Sequence, residues 1–410
     1  MKKIFRKLIA WLCCLLLCGF RAAAAPRQIA DESDGASALE LLEEDAAVWE
    51  PLAAVPAGAA LHPKAKGAVL MDLATGQILF EQDARQQVPI ASVTKIMTLL
   101  LIMEAIDAGR LSYDEPVTCS ATAASMGGSQ IWLEEGETMT ADDLLKAIAV
   151  VSANDACAAM AEHLCGTIDE FVRQMNLRAV QLGMHDTLFL DCSGLNDEGY
   201  SCARDVAVMA RELMQHPDIV RYTTIWMDTL RGGESQLVNT NKLVRHYPGT
   251  TGLKTGTTGA AGHCLAATAT RGDLSLAAVV LGCATTADRF DGARQLLDYG
   301  FANYMLYRPQ TDDLPLEPIP VLHGAEETVQ PLADAAAPIL LPKGADARVT
   351  RAVTLCQDVE APVAAGQVLG EVTFSVDGEV CGKVPVRAAR SVPRLTFGAA
   401  LCRLWLSLVT

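Results

Sequence analysis

Residues 251–283 read TGLKTGTTGAAGHCLAATATRGDLSLAAVVLGC. Apolar residues punctuated by glycines predict three consecutive β-strands in this stretch, over 253–258, 262–270 and 274–282. The tripeptide Arg-Gly-Asp at 271–273 predicts a tight turn between the last two strands, because glycine and aspartate are favoured in tight turns. The segment therefore supplies one part of a sheet.

A second part of the sheet is predicted far upstream. Residues 68–73 form an apolar strand, residues 74–76 (Ala-Thr-Gly) a turn, and residues 77–81 the returning strand. Helices are predicted between the two strand regions, over 92–106, over 141–165 with a break around Ser152, and over 205–215. Strands at both ends with helices between them predict a domain, assigned to 61–306, that closes only after about residue 305.

The N-terminal 60 residues are predicted to precede this domain. Residues 1–25 combine a basic start, an apolar run over 8–20 and a series of alanines before Pro26, which is the pattern of a secretory signal peptide. The run is shorter than the roughly 18 to 20 residues that span a bilayer, so an uncleaved anchor is the weaker alternative. Residues 26–60 are acidic and alanine-rich, which predicts a flexible leader.

Composition changes again after the first domain. Four prolines between 309 and 320 predict a linker, which is assigned to 307–319. Short valine-rich runs separated by glycine turns follow over 320–388. These runs predict a small, mostly β second domain.

Residues 389–410 are predicted to form an amphipathic tail that associates with a membrane surface. No acidic residue occurs from Pro385 onward, and the arginines of this region are Arg387, Arg390, Arg394 and Arg403. On a helix, Arg403 would share one face with polar residues while Leu401, Trp405 and Leu408 lie opposite. Such a helix can lie in the interface of an anionic membrane, with arginines at the headgroups. The alternative is a C-terminal helix that docks on its own protein.

The composition excludes some classes of function. The chain has 33 Lys and Arg against 49 Asp and Glu, a net charge of −16, and no basic run interrupts the acidic excess. A nucleic-acid partner is therefore not expected, because phosphates require a basic face. The cysteines include no C-x-x-C pair and the histidines show no metal-ligand spacing, so neither a metal nor a cofactor is predicted. The cysteines of the exported chain are interpreted as small buried hydrophobes, with a few disulfides as the alternative.

Three short motifs carry the predicted chemistry: Ser92-Val-Thr-Lys95, Ser152-Ala-Asn154 and Lys254-Thr-Gly256. Each is common alone, but a chain of this composition contains all three by chance in only about 0.005 of cases. A serine is a poor nucleophile without a neighbouring base. Lys95 lies three residues beyond Ser92 and hence on the same helical face. Its buried amine can act as the base when burial lowers the pKa of the amine from about 10.4 toward neutrality. The alternative without catalysis is that Ser92 only caps the helix and that the Lys95 amine extends into solvent.

The other two motifs supply plausible partners for this pair. Ser152 would relay the proton to the leaving amine, and Asn154 would hold Lys95 and the substrate backbone, although alone the tripeptide fits an ordinary turn. Lys254 and Thr255 alternate along a strand whose edge can pair with an extended peptide. Gly256 permits close approach of another backbone, so the N–H groups of Ser92 and Thr257 can form an oxyanion hole.

Together these residues resemble the low-molecular-mass penicillin-binding proteins, the serine-type D-alanyl-D-alanine carboxypeptidases. The resembling stretches are ASVTKIMT (91–98), GGS (127–129) before EEG (134–136), SANDA (152–156), NTN (239–241) and GLKTGTTGAAG (252–262). The resemblance covers about residues 62 to 305, and the β domain and tail match the family's usual C-terminal arrangement. It implies an α+β fold with a β-lactamase/transpeptidase-like antiparallel sheet flanked by helices.

The resemblance also implies a role for each motif residue. Ser92 is the acylated nucleophile, Lys95 the base, Ser152 and Asn154 the relay and the orienting amide, and Lys254 and Thr255 the ligands of the substrate's terminal carboxylate. Arg289 stands where the family has an arginine that helps to bind this carboxylate. Three residues depart from the family's pattern, namely Ala153, Cys192 and Cys202, and the two cysteines put the deacylation rate and substrate preference in doubt.

A protein of this kind would be exported and act at the outer face of the cytoplasmic membrane or in the cell wall of a bacterium. The resemblance implies that it removes the last D-alanine from peptidoglycan stem peptides and that β-lactams trap it covalently. A class A β-lactamase shares the motifs but needs a glutamate where Cys192 stands, four residues before Asn196. An esterase on the same scaffold and a non-catalytic wall-associated scaffold are the remaining alternatives.

Overall fold

A computed structural model describes residues 27–28 and 61–409 of the chain. The predicted signal peptide lies outside the described residues, and so does the predicted leader apart from 27–28. The strands of the first region are β1 (Arg27–Gln28), β2 (Gly67–Asp72), β3 (Ile78–Gln82), β4 (Pro116–Thr118), β5 (Thr138–Thr140), β6 (Met227–Leu230), β7 (Ser235–Val238), β8 (Thr250–Thr258), β9 (Gly262–Arg271) and β10 (Leu274–Cys283). Its helices are α1 (Lys95–Asp107), α2 (Ala121–Ala124), α3 (Ala141–Val151), α4 (Asn154–Cys165), α5 (Ile168–Gln181), α6 (Ala203–Leu213), α7 (Val220–Thr223), α8 (Leu243–His246) and α9 (Thr286–Asn303).

A five-stranded antiparallel sheet in the order β3-β2-β10-β9-β8 forms the centre of the first region. The predicted sheet assembled from both ends of the segment is confirmed, because β2 pairs directly with β10. Side chains alternate between the two faces of such a sheet. Val69 and Met71 of β2 pack into the large helical cluster, whereas Ala68 and Leu70 pack against the side of α9. Helices thus cover both faces and leave β8 at one edge.

The predicted helix over 92–106 begins differently from the prediction. Residues Ala91–Thr94 form a 3-10 turn, and the α-helix starts only at Lys95. Ala91 adopts a φ of +45°, which is uncommon for a residue other than glycine. Ser92 therefore lies on a sharp turn before the helix rather than within its first turn.

Local capping explains the other helix boundaries near the motifs. The side chain of Thr140 accepts from the backbone of Asp143 at the start of α3, and the Sγ of Cys202 accepts from Asp205 at the start of α6. The predicted break at Ser152 is observed between α3 and α4, where Ser152 has a left-handed backbone with φ +64°. This conformation ends α3 and turns the chain into α4.

The second region contains mostly strands. They are β11 (Tyr304–Tyr307), β12 (Ile319–Leu322), β13 (Thr328–Val329), β14 (Pro331–Ala333), β15 (Ile339–Pro342), β16 (Val349–Leu355), β17 (Val359–Glu360), β18 (Val368–Val376) and β19 (Glu379–Ala388). The largest sheet runs in the order β14-β19-β18-β16. β11 pairs with β15, and Leu340 of β15 packs in the apolar cluster beneath α9. The strand that follows α9 therefore joins the two regions.

The C-terminal helix α10 (Phe397–Val409) occupies only the last part of the predicted tail. Upstream of it, Val392 is buried and pairs with Val363, so this segment packs on the β region. Phe397, Leu401 and Trp405 follow one another at helical spacing and are 85%, 61% and 71% exposed. Within the described ranges, every helix is too short or too polar to cross a membrane.

The arginines before this helix are engaged by the second region itself. Arg387 Nε contacts Asp334 at 2.8 Å, Arg394 Nη2 contacts Glu360 at 3.2 Å, and Arg390 pairs with Glu326. The sequence prediction grouped these arginines with Arg403 because it could not locate acidic partners far away in the chain. These ion pairs neutralise charges that were expected to face lipid headgroups.

The ten cysteines among the described residues are all free thiols. Six of them, including Cys157, Cys192 and Cys264, are buried in the apolar interior. This agrees with their interpretation as small hydrophobic side chains.

Candidate active site

The Ser92 hydroxyl and the Lys95 amine are in direct contact. Lys95 Nζ lies 2.8 Å from Ser92 Oγ and donates a second hydrogen bond of 2.8 Å to the carbonyl of Ser193. Lys95 is fully buried, whereas Ser92 is half-buried. The predicted pairing of a hydroxyl with an amine three residues away is thus present, although the 3-10 turn of Ala91–Thr94 provides it.

Two glycines fit closely around the backbone of this turn. A Cβ on Gly256 of β8 would lie 2.7 Å from the Ile90 carbonyl oxygen and 3.0 Å from the Ser92 nitrogen. A Cβ on Gly194 would collide with the Ala91 carbonyl and lie 3.0 Å from the same Ser92 nitrogen. Glycine at both positions lets β8 and the loop around Gly194 approach the serine from two sides.

That loop is organised by one carboxylate. Asp191 accepts hydrogen bonds from the backbone nitrogens of Ser193 and Asn196, both at 2.6 Å, and from that of Gly194. The loop thereby presents the Ser193 carbonyl to Lys95. Sequence analysis associated this segment with the site only through its resemblance, and it did not identify Asp191 or the Ser193 carbonyl as partners of the lysine.

Ser152 and Asn154 lie at the junction between α3 and α4. Asn154 Nδ2 donates to the Gly127 carbonyl at 2.7 Å, and its backbone nitrogen donates to Ser129 at the same distance. Among the described residues, no hydrogen-bond partner reaches the buried Ser152 Oγ or the Asn154 Oδ1. Buried polar atoms are rarely left unsatisfied, so these two are suited to a ligand or to water.

Asp155 fixes the loop against which Asn154 packs. Its buried carboxylate accepts from the backbone nitrogens of Ile131 at 3.0 Å, Leu133 at 3.0 Å and Ala156 at 2.9 Å. Burial raises the pKa of Asp155 above its usual value, and these backbone hydrogen bonds oppose the rise. The carboxylate thus ties the 127–133 segment to the start of α4.

Strand β8 carries the third motif along the sheet edge. Lys254 and Thr255 are buried, and Lys254 Nζ donates to the Thr255 carbonyl at 3.0 Å. Thr255 Oγ1 donates to Thr240 Oγ1 at 2.7 Å, and Asn241 Nδ2 donates to the Gly252 carbonyl at 3.1 Å. The Asn239-Thr-Asn241 stretch therefore supports β8 on its side away from β9.

The thiol of Cys157 is buried on α4. Burial raises the pKa of Cys157 to about 12, and the nearby positive charges of Lys95 and Lys254 oppose this rise. The sequence predicted that these two lysines share a site. The packing of Gly256 against the Ser92 backbone brings the strand that carries Lys254 to the turn that precedes Lys95.

Arg289 reaches the end of β8 from the first turn of α9. Only 1% of its surface is exposed, and its Nη1 donates to Thr257 Oγ1 at 2.9 Å. Sequence analysis selected Thr257 for its backbone nitrogen and did not foresee a contact to its hydroxyl. A buried guanidinium beside the half-buried end of a strand provides a local positive charge in a chain of net charge −16.

One group of side chains in the described part has metal-ligand chemistry, namely Asp186, Cys202 and Asp205. Their donor atoms already have structural partners. Asp205 Oδ2 accepts from the backbone of Asp186 and from Thr187 Oγ1, both at 2.8 Å, while Asp186 pairs with Arg85 at 3.2 Å. The group thus anchors the loop before α6.

The chain is similar to known proteins over both of its regions. The D-alanyl-D-alanine carboxypeptidase family matches residues 54–285, and the C-terminal domain of penicillin-binding protein 5 matches residues 304–394. The D-alanyl-D-alanine carboxypeptidase DacF of Bacillus subtilis is 40% identical over 342 residues, which cover 82% of this chain and 88% of that protein. DacC of Escherichia coli is 31% identical over 83% of this chain and 86% of its own.

Solved structures agree with the sequence matches. Penicillin-binding protein 5 from Haemophilus influenzae superposes with a TM-score of 0.73 at 29% identity, over 82% of this chain and 99% of that one. Penicillin-binding protein D2 from Listeria monocytogenes, solved in its ampicillin-bound form, gives a TM-score of 0.52 at 32% identity over 59% of this chain and all of that one.

Proposed function

Because the chain belongs to the D-alanyl-D-alanine carboxypeptidase family, a family of serine hydrolases, we propose that it removes the terminal D-alanine from peptidoglycan stem peptides through an acyl-enzyme on Ser92. The observation that carries this proposal is the 2.8 Å contact between Ser92 Oγ and the buried amine of Lys95. Nucleophile and base within hydrogen-bond reach are the minimum requirement for serine acylation.

In the first step, the neutral amine of Lys95 accepts the proton of Ser92 as Oγ attacks the carbonyl carbon of the penultimate D-alanine. The negative charge that develops on the carbonyl oxygen is stabilised by the N–H groups of Ser92 and Thr257. Close approach of Gly256 to the Ser92 nitrogen, which leaves no room for a Cβ, supports this pairing of the two backbones.

The substrate's terminal carboxylate binds at the end of β8. Lys254, Thr255 and Arg289 are the proposed ligands, and their burial lets them act with little screening by solvent. This positive site explains how an acidic protein attracts an anionic peptide end. A penicillin carboxylate would take the same place. The Listeria relative, which was solved in its ampicillin-bound form, supports binding of a β-lactam by this chain.

The second motif completes the reaction. Ser152 Oγ, which has no partner among the described side chains, passes the proton from Lys95 to the departing D-alanine amine. Asn154 holds the substrate backbone through its Oδ1 while Gly127 holds its Nδ2. Water then hydrolyses the acyl-enzyme and regenerates Ser92.

Release of free D-alanine tests the proposal. A stem pentapeptide that ends in D-Ala-D-Ala should lose one D-alanine per molecule, while the tetrapeptide product should be inert. Ser92→Ala should abolish release, whereas Ser125→Ala, an exposed serine on a surface turn, should leave it unchanged. Release by Ser92→Ala at the wild-type rate would refute the assignment.

We further propose that the enzyme is exported and held at the outer face of the cytoplasmic membrane through its tail. The exposed apolar row of Phe397, Leu401 and Trp405 on α10 supports membrane contact over docking on the protein itself. Removal of residues 397–410 should release the protein from vesicles that contain anionic lipid. Equal sedimentation of the truncated and full-length chains would contradict this.

The domain division and the signal peptide belong to the same proposal. Separate apolar clusters within 319–392 support a β domain distinct from the catalytic one, with the linker at 307–319 between them.

Sequencing of the exported protein should find Pro26 at its N-terminus. A mature chain that begins at Met1 would contradict cleavage after residue 25.

A further inference from the structure

Two consecutive peptide groups beside Lys95 face helix α1. The carbonyl of Cys192 accepts a hydrogen bond of 2.5 Å from Thr98 Oγ1. The carbonyl of the next residue, Ser193, accepts the 2.8 Å bond from Lys95 Nζ. Thr98 lies three residues after Lys95 on α1, so both donors project from the same side of the helix. All four residues are buried, so bulk water does not reach either bond.

The N–H ends of the same peptide groups are held by Asp191. Its carboxylate accepts from the nitrogen of Ser193 at 2.6 Å and from that of Gly194. The Cys192 carbonyl and the Ser193 nitrogen belong to one peptide group, and the Ser193 carbonyl and the Gly194 nitrogen to the next. In a planar trans peptide the C=O and N–H groups point in opposite directions. Each of the two peptide planes is therefore fixed between α1 on one side and Asp191 on the other.

The direction of the Thr98 hydrogen bond is unambiguous, because a carbonyl oxygen can only accept. A threonine within a helix commonly donates to the carbonyl four residues before it. Thr98 instead donates to the loop, across 94 residues of the chain. Loss of its hydroxyl would leave the buried Cys192 carbonyl without this donor, and the first peptide plane would then be held at its N–H end alone.

We propose that Thr98 is a positioning residue that fixes the Ser193 carbonyl, and through it the amine of Lys95, for proton transfer from Ser92. This inference rests on the proposed function, because it names a support for the same base. The two peptide planes share the Cα of Ser193, so rotation of the first plane displaces the carbonyl of the second. A displacement of about 1 Å in a reacting group can lower a rate by about 100-fold.

Packing of the threonine methyl group is the alternative role, and two pairs of side chains separate it from a role of the hydroxyl. Threonine and valine have the same branched shape but differ in the hydroxyl, and serine and alanine differ in the hydroxyl alone. If the hydroxyl acts, wild type and Thr98→Ser should be fast, while Thr98→Val and Thr98→Ala should be slow. If the methyl group acts, Thr98→Val should resemble wild type, while Thr98→Ser and Thr98→Ala should be slow.

The experiment measures acylation of the full-length protein by a fluorescent penicillin over a range of concentrations. The plateau of the observed rate gives the rate constant of the acylation step, and the concentration at half-plateau gives the dissociation constant of the noncovalent complex. Thr224→Val is the matched control, because the exposed Thr224 also donates to a carbonyl, that of Val220 at 2.6 Å, at the end of α7. Thermal unfolding of each variant is measured in parallel.

Thr98→Val and Thr98→Ala should lower the rate constant of the acylation step about 10- to 100-fold, because the base is displaced from the hydroxyl of Ser92. The dissociation constant should change by less than about 2-fold, because the groups that bind the penicillin are unaltered. Thr98→Ser should keep most of the wild-type rate, and Thr224→Val should behave like wild type.

Three results would overturn the inference: equal acylation by wild type and Thr98→Val, equal losses in Thr98→Ser and Thr98→Ala, or a loss confined to the dissociation constant. If Thr98→Val does not fold, the comparison of Thr98→Ser with Thr98→Ala decides alone. A wild-type protein that the penicillin does not acylate would instead refute the proposed function, so the two failures are distinguishable.

Discussion

Substitution of Gly256 by alanine tests the contact between β8 and the serine turn. The added Cβ would lie 2.7 Å from the Ile90 carbonyl oxygen and 3.0 Å from the nitrogens of Ser92 and Val93. All three are backbone atoms that cannot rotate away, so the strand and the turn must separate by roughly 0.5 Å. Overpacking of this kind typically costs about 1–3 kcal/mol of unfolding free energy.

The larger expected effect is on the reaction. Loss of one oxyanion donor lowers kcat by about 100- to 1,000-fold, and a donor that is displaced rather than removed should cost about 10- to 100-fold. The assay is the rate of acylation by a fluorescent penicillin, with thermal unfolding measured in parallel. Gly259→Ala is the matched control, because nothing lies within 4 Å of a Cβ at that position of the neighbouring turn.

Gly259→Ala should acylate and unfold like wild type. A Gly256→Ala protein that acylates at the wild-type rate would show that close approach of β8 to Ser92 is not needed for the reaction. That result would refute the oxyanion-hole assignment while leaving the nucleophile untested.

The remaining predictions concern residues that are not proposed to contact the substrate, namely Asp191, Asp155 and the cysteines. Asp191→Ala should lower the acylation rate about 10- to 100-fold, because the loop that holds the Ser193 carbonyl against Lys95 loses its hydrogen-bond acceptor; an unchanged rate would remove the loop from the mechanism. The pKa of Asp155 is raised in the folded state, so its contribution to stability should be greatest at low pH and be lost as pH rises through the folded pKa. The unfolding free energy of wild type, measured by chemical denaturation between pH 3 and pH 7, should therefore decrease with rising pH relative to that of Asp155→Asn. The same pH dependence of the unfolding free energy in both proteins would contradict this. Iodoacetamide should label the exposed Cys356 and Cys402 in the native protein without loss of activity. Cys157 should not react, because burial raises the pKa of its thiol to about 12. Mass mapping that finds Cys157 alkylated before unfolding would show that its burial is incomplete.

Periodicity and punctuation were sufficient to predict the central sheet and the helices near the motifs, but not α5 or α9. The three consecutive strands over 251–283 could be predicted from their glycines and the turn at 271–273, because strands that are adjacent in this part of the sheet are also consecutive in the sequence. The S-x-x-K spacing likewise predicted the contact of Ser92 with Lys95, because residues three apart meet on one side of a helical turn.

The contacts that the sequence did not predict join residues far apart in the chain. The Ser193 carbonyl reaches Lys95 across 98 residues, and Arg289 reaches the Thr257 hydroxyl across 32. The partners of the C-terminal arginines are equally remote, as the contact of Arg387 with Asp334 illustrates. Local spacing carries no information on such pairs. The resemblance selected Arg289 as a ligand of the carboxylate but did not indicate its contact with the Thr257 hydroxyl.

The most direct test of the account is the mass of the protein after incubation with benzylpenicillin, followed by peptide mapping. A single added penicilloyl group on the peptide that contains Ser92, absent from Ser92→Ala, is the result expected if the hydroxyl beside Lys95 is the nucleophile. An unmodified wild-type protein, or an adduct that persists in Ser92→Ala, would contradict the central claim.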